Sequence, residues 1–323
     1  MNYKMIFLTL LIWPVMAQEK LPDILSDGRI TVREAVQSAL QHNPDLKIAV
    51  AAHREAAAEV WASSGLVSPT LSFTREGIDR DNSAVFNEQR WGLSQPLPSP
   101  FSAFTRVRGA RAQSAARGNE REQVRLNLMR DTKKAYATLS YALMQHNLAK
   151  ERVEIARELL DAARARVEAG EASGLELMKT EVQLAAAEND LTDRQIRVDE
   201  ARYRLFNQMG ISPGEEGYHL EFPDTLHFFP VTFEEDAVLD GLKQMPRLLA
   251  AANRQNAARW DNRTAWSSAL LPDLEVSLFR QDFGSGYDYY GFEAGVKIPL
   301  WFWLNDQGKI RASRAVLHRR NGE

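Results

Sequence analysis

The sequence predicts a mainly α chain with a small β part: one long antiparallel coiled-coil helical hairpin and four strands, organised by an internal repeat. Three observations carry this. No proline occurs from Phe101 to about Ala169, a stretch that as one helix would run on the order of 100 Å. Alanines recur every seven residues along it, as in a coiled coil with small residues in alternate layers. Four short segments alternate apolar and polar residues, the two-residue period of strands with one apolar face.

The chain opens with Lys4, the apolar run Met5 to Pro14, and small residues ending at Ala17. This reads as a secretory signal peptide, residues 1–17, cleaved before Gln18. Its apolar run is too short to span a bilayer, and no later stretch approaches the roughly 20 apolar residues a spanning helix needs. If the protein enters a membrane, it must do so as a barrel. Cysteine is absent, which excludes disulfides, thiolate metal sites, thiol catalysis and a lipidated N-terminal cysteine. The net charge of −3, with both signs interspersed, gives no sign of a nucleic-acid binder.

The repeat sets the order of elements. Thr31–Pro44 and Phe233–Pro246 each read as a short amphipathic helix closed by proline. Ala-rich helices follow at 45–64 and 247–268. Each copy then changes period: Leu71 and Phe73 in the first, and Leu274, Val276 and Leu278 in the second, alternate with polar neighbours. Second strands return at Trp91–Pro96 and Phe292–Pro299, which gives β-hairpins over 70–97 and 273–300. Pro69 and Pro272 lie 203 residues apart, as do Pro96 and Pro299, and one shared offset marks a duplication. A proline fixes φ and lacks an N–H, so these four suit strand-to-helix junctions. By themselves the strand pairs would also fit two ordinary hairpins. The first repeat thus covers 18–206, an irregular connector 207–232, and the second repeat 233–323.

The long hairpin spans 101–206. Ala135, Ala142, Ala149, Ala156 and Ala163 alternate with Leu139, His146, Val153, Leu160 and Val167, and Leu177, Leu184, Leu191, Val198 and Leu205 answer them on the returning helix. Between the two lies the tip, 168–175. There Gly170 and Gly174 permit positive φ, and Ser173 suits an N-cap.

At this point the chain resembles the outer-membrane efflux family of TolC-like ducts, and within it the heavy-metal cation branch typified by CzcC and CusC. The motifs that carry the resemblance are Ala39–Pro44, Ser94–Pro98, Gly170–Ser173 with Leu175, Leu177 and Glu181, Leu271–Leu274, and Lys297–Leu300 with Asn305–Gly308. The resemblance implies a homotrimer whose subunits each contribute four strands to one transmembrane β-barrel, with helices continuing as a periplasmic α-barrel. It also implies a passive duct for metal cations or small molecules, with no enzymatic step and no cofactor. A periplasmic adaptor (membrane fusion protein) and an inner-membrane pump of RND type would be its partners. The adaptor would dock at the tip on Arg166, Gly170, Ser173, Gly174 and Leu177, and Pro69, Pro96, Pro272 and Pro299 would mark barrel-to-helix junctions.

On that reading Leu71, Phe73, Leu274, Val276, Leu278, Phe292, Ala294, Val296 and Ile298 face lipid or the neighbouring wall. Ser72, Thr74, Glu275, Ser277, Glu293 and Lys297 face a watery lumen. Tyr287, Tyr289, Tyr290, Trp301 and Trp303 sit where interfacial aromatics do. The histidines, His42, His53, His146, His219, His227 and His318, are scattered and form no zinc pattern. No nucleophile elbow, phosphate loop or dinucleotide fingerprint is present.

Two alternatives share some features. A periplasmic adaptor would place a lipoyl-like β domain beside one hairpin and lack the duplication, and a coiled-coil structural protein of the envelope would lack amphipathic strands. By analogy with the first copy, the second repeat is expected to continue beyond Glu323 into another hairpin of about a hundred residues. The sequence as it stands would then be a shortened subunit, or a non-functional fragment of the duct.

Overall fold

The computed structural model describes residues 30–79, 86–211, 234–284 and 286–322. The expected signal peptide, 1–17, and residues 212–232 of the expected connector lie outside the described residues. In order, the elements are α1 (Val32–His42), α2 (Pro44–Ser64), β1 (Thr70–Glu76), β2 (Glu88–Leu97), α3 (Pro100–Glu168) and α4 (Gly174–Met209). They continue with α5 (Glu235–Lys243), α6 (Pro246–Leu270), β3 (Asp273–Asp282), β4 (Asp288–Lys297), α7 (Phe302–Asn305) and α8 (Gln307–Asn321). No helix among the described residues is long and apolar enough to cross a membrane. The chain divides into two compact units, Met1–His42 with Asp131–His227 and Asn43–Arg130 with Phe228–Glu323, so α3 contributes to both.

In the first unit, α1 starts with a reciprocal cap. The Thr31 amide donates to the Glu34 carboxylate at 2.8 Å, and the Glu34 amide to the Thr31 hydroxyl at 3.4 Å. The buried face of α1 joins Ile30, Tyr136, Leu139, Val198, Leu205, Phe206 and Met209 in one core. Tyr136 buries its ring there because its hydroxyl donates to the Ile30 carbonyl at 3.0 Å. The heptad seam holds: Ala135, Leu139, Ala149, Val153, Leu160 and Ala163 are buried, and Ala142, His146, Ala156 and Val167 are half-buried.

Helix α4 runs to Met209, past the expected end at 206, and the reason is local. Gly210 takes φ 71°, its amide donates to Asn207 at 3.1 Å, and the Ile211 amide donates to Phe206 at 3.0 Å. This is the six-to-one, five-to-two pattern that glycine permits at a helix end. Phe206 and Ile211 supply its apolar clasp, since both are buried in the same core.

In the second unit, α2 begins on the Asn43 side chain, which accepts from Asp45 and Leu46 at 2.9 and 3.4 Å, with Pro44 at the first helical position. Its counterpart α6 keeps the proline, Pro246, but has Met245 at the cap position and no side-chain bond there. Helix α6 lies close to the first part of α3, where Gly109 leaves room. A β-carbon on it would fall 2.7 Å from the Asp261 carboxylate. Phe104 meets Trp260 edge-on at 5.9 Å.

Two carboxyls in this unit are perturbed in opposite senses. Burial pushes Asp261 up. Burial acts in the same sense on Glu120, but hydrogen bonds from Arg254 at 2.6 Å and Arg117 at 2.9 Å outweigh it and hold that carboxyl low. Helix α8 packs on α6, with the Asn262 amide donating to Ser313 at 2.9 Å.

Candidate functional site

The four strands form one antiparallel sheet in the order β1-β2-β3-β4. Its register decides which side chains share a face. Leu71, Leu93, Leu278 and Phe292 stand opposite one another across all four strands. Two residues away in one direction lie Phe73, Trp91, Arg280 and Tyr290. In the other direction come Gln95, Val276 and Ala294, and then Leu97, Leu274 and Val296. The alternate rows hold Thr70, Ser94, Ser277 and Glu293, then Ser72, Gly92, Phe279 and Gly291, then Thr74, Arg90, Gln281 and Tyr289. The side chains expected to face apart do separate this way. Ile298 alone falls beyond β4, outside the rows.

The apolar face is open. Leu278 is 59% exposed and Phe292 78%, and Phe73 and Trp91 cover each other with centroids 4.4 Å apart. The outermost row ends in charge, with Arg280 paired to Asp288 at 2.7 Å. At the β3–β4 turn Phe283, Tyr287 and Tyr289, the last of them in a row of the opposite face, bring their rings within 6.1 to 6.2 Å of one another.

The opposite face holds five carboxylates, Glu76, Glu88, Asp273, Glu275 and Glu293, against two cations, Arg90 and Lys297. Glu293 pairs with Arg90 at 3.4 Å, and Asp273 accepts from the Ser99 amide at 3.0 Å. Glu275 stands between Pro96 and Gly295.

Sequence reasoning missed Phe279, which lies on this polar face. Gly291 makes room for it, since a β-carbon there would come within 2.3 Å of the ring. The Arg90 guanidinium lies 3.9 Å over its centroid. The available signal was a glycine opposite an out-of-phase aromatic.

The four prolines occupy unequal places. Pro69 and Pro272 immediately precede β1 and β3, and Pro299 follows β4 by two residues. Pro96 instead sits inside β2, opposite Glu275. Strand β1 begins opposite Ser94, so beyond that point β2 is paired on one side only, where a residue without an N–H is tolerated.

At the hairpin tip, Gly170 takes φ 76°. Its amide donates to Val167 at 3.0 Å and the Glu171 amide to Arg166 at 2.9 Å, the same termination as at Gly210. Arg166 reaches across to Glu176 at 2.9 Å and ties the two helix ends together. Ser173 does occupy the N-cap of α4, but its side chain makes no cap hydrogen bond. The Glu176 amide is instead met by the Ser173 carbonyl at 2.9 Å. Gly174 opens α4 with space where a β-carbon would go, and Leu177 is half-buried on the seam. Replacing Gly170 by Ala should cost about 1 kcal/mol, because a β-carbon disfavours left-handed backbone. Urea denaturation of Gly170→Ala beside Gly174→Ala, which has negative φ, measures the difference.

A second seam lies away from the first. Tyr141, Leu148 and Ile155 on α3, and Leu175, Val182, Ile196 and Tyr203 on α4, also recur at multiples of seven and are all exposed. Among the described residues no three His, Asp or Glu side chains converge as a metal site requires.

Comparison with known proteins agrees with this geometry. The family model described as "Outer membrane efflux protein" matches residues 35–210. Nickel-cobalt-cadmium resistance protein NccC of Alcaligenes xylosoxydans xylosoxydans is 26% identical over 174 residues, which cover 51% of this chain and 40% of that protein. The chain thus spans less than half the length of this relative. Among solved structures, CusC matches with a TM-score of 0.70 at 16% identity, covering 90% of this chain and 70% of CusC. The outer-membrane channel OprN matches with a TM-score of 0.73 at 18% identity, covering 94% and 72%. At these identities the structures share the fold.

Proposed function

As the chain belongs to the outer membrane efflux protein family, we propose that it is one subunit of a trimeric exit duct, through which a tripartite efflux system discharges its substrate across the periplasm and outer membrane. The observation that carries this is the two-faced sheet. One face is an open apolar wall suited to lipid, and the other is a polar wall suited to water. Strands β1 and β4 each pair on one side only among the described residues, and four strands are too few to close a barrel. Copies of the chain would satisfy those edges and bury the second seam of the hairpin.

Passage requires no chemical step from this chain: substrate diffuses along the polar wall. That wall's excess of carboxylates favours cations, and a relative named for nickel, cobalt and cadmium resistance supports metal cations as the substrate class. Weak, dispersed carboxylates suit a conduit, since tight binding would hold the ion. A periplasmic adaptor would dock on Arg166, Gly170, Ser173, Gly174 and Leu177, with an RND-type inner-membrane pump beyond it. The Arg166–Glu176 pair is exposed and worth about 0.2–1 kcal/mol, so a docking partner could displace it cheaply. The repeats, 18–206 and 233–323, each supply one β-hairpin to the wall.

The test is reconstitution of the full chain. Heat-modifiable trimers in detergent, with stepwise conductance in planar bilayers that favours cations over anions, are the expected result. A soluble monomer that leaves bilayers silent would overturn the proposal.

A further inference from the structure

The apolar face of the sheet ends at the row Leu97, Leu274 and Val296, but apolar surface continues beyond it in both repeats. After β4, Leu300, Trp301, Trp303 and Leu304 are exposed, Leu304 at 71%. The single turn of α7 fixes them: the Leu304 amide donates to Trp301 at 2.9 Å, and the two tryptophan rings meet edge-on at 5.5 Å. After β2, the first turn of α3 exposes Phe101 and Phe104.

Both repeats then turn basic. Arg106, Arg108 and Arg111 match Lys309, Arg311 and Arg314 one for one, at the 203-residue offset that relates the junction prolines. All but Arg106 are exposed; Arg106 is half-buried and donates to the Ser63 carbonyl at 3.0 Å. No Asp or Glu lies between Leu97 and Glu120, and α8 contains none. Among the described residues Lys309 alone of the six has an ion-pair partner, Asp306 at 2.9 Å.

A solvated helix face carries both signs, as α3 does farther on, where Arg125 pairs with Glu122 and Arg157 with Glu154. The excess of positive charge next to exposed aromatics needs another explanation. Apolar wall, then aromatics, then cations is the sequence of groups met on passing from acyl chains through the interface to phosphate.

We infer that these two segments form a collar at the helical end of the sheet that binds the phosphate headgroups of anionic phospholipids in the adjoining leaflet. The collar rests on the reading of the sheet as a membrane wall.

Because the chain has no cysteine, single thiols place a nitroxide without competition. The full chain is reconstituted in phosphatidylethanolamine vesicles with or without phosphatidylglycerol, labelled at Leu304→Cys, at Leu278→Cys or at Ala315→Cys on α8. The label at 278 is expected in the acyl region, that at 304 at headgroup depth, and that at 315 in water. Protein extracted from mixed vesicles should retain phosphatidylglycerol at least about fivefold above its bulk ratio, the effect of one Lys or Arg at an anionic surface. The variant R108Q/R111Q/K309Q/R311Q should lose that enrichment.

A label at 304 as water-accessible as that at 315, with 278 in lipid, overturns the collar and leaves the membrane wall standing. A label at 304 shielded from both lipid and water assigns the segment to a neighbouring copy and also overturns it. Bulk lipid ratios in the parent chain do the same. A label at 278 that stays in water removes the membrane wall, and the collar with it.

Discussion

Leu139→Ala will destabilise the first unit by about 2–5 kcal/mol, the range for deleting a buried leucine side chain. Leu139 is 0% exposed and sits in a core with Ile30, Tyr136, Leu205, Phe206 and Met209. Its neighbours along the α3 seam are Ala135 and Ala142, and Ala201 faces the same core from α4. Alanines have no rotamers with which to refill the space, so the cavity should persist and the cost should fall in the upper part of that range. Leu159 on the same helix is 52% exposed, and its replacement by Ala should cost less than about 1 kcal/mol. Urea denaturation followed by helical circular dichroism compares the two. Equal midpoints for both variants would mean that the seam at Leu139 is not packed as described.

The helical part of the fold was legible because its signal is long. Five alanines at seven-residue spacing from Ala135 to Ala163 leave little freedom in which face of α3 is buried, and every residue of that predicted seam is buried or half-buried. The second seam escaped because its apolar residues are interrupted by polar ones: Asn189 falls in the α4 series between Val182 and Ile196, and at the heptad partner positions apolar Met144, Met178 and Ala185 are mixed with Glu151, Glu158, Thr192 and Asp199. An exposed seam has no alanine layer to advertise it, since close approach is settled only when a neighbour arrives.

At the tip, the glycines were legible as a reversal and Ser173 as the N-cap position, but not how that cap is bonded. Ser173 has the residue type and extended backbone of a cap, but which side-chain rotamer it adopts is decided by three-dimensional surroundings, and here the carbonyl of Ser173 does the bonding. The ion pair from Arg166 to Glu176 spans ten residues and follows from the geometry of the reversal, not from any local spacing.

The β part was legible in its alternation but not in its pairing. Period two assigned Leu71, Leu278 and Phe292 to one face within their own strands. Only the register shows that Leu93 joins them, and that Phe279, which its own strand's alternation puts on the polar side, finds room there because Gly291 opposite offers no side chain. A glycine partner lets an aromatic lie flat against the sheet, where a cation can cover it, so one large apolar side chain can sit on a polar face without leaving an exposed hydrophobic patch.

Leu278→Arg is the sharpest test of the wall, because it changes the centre of the apolar face and leaves the other face untouched. Leu278 stands between Leu93 and Phe292 in the one apolar row that crosses all four strands without a polar member. Facing lipid at mid-depth, an arginine there should cost about 2–4 kcal/mol for each copy of the chain. An assembly of three copies would incur that cost three times, so the fraction of chain that becomes protease-protected on refolding into vesicles should fall to near zero. Ser277→Arg moves the same charge by one residue, to the face where its cross-strand neighbours are Ser94 and Glu293. An arginine opposite Glu293 gains a partner in water, so insertion should proceed as in the parent chain while the cation preference of the conductance falls. If both variants insert equally well, or both fail, the two faces of the sheet do not meet different solvents, and the wall is not a membrane wall.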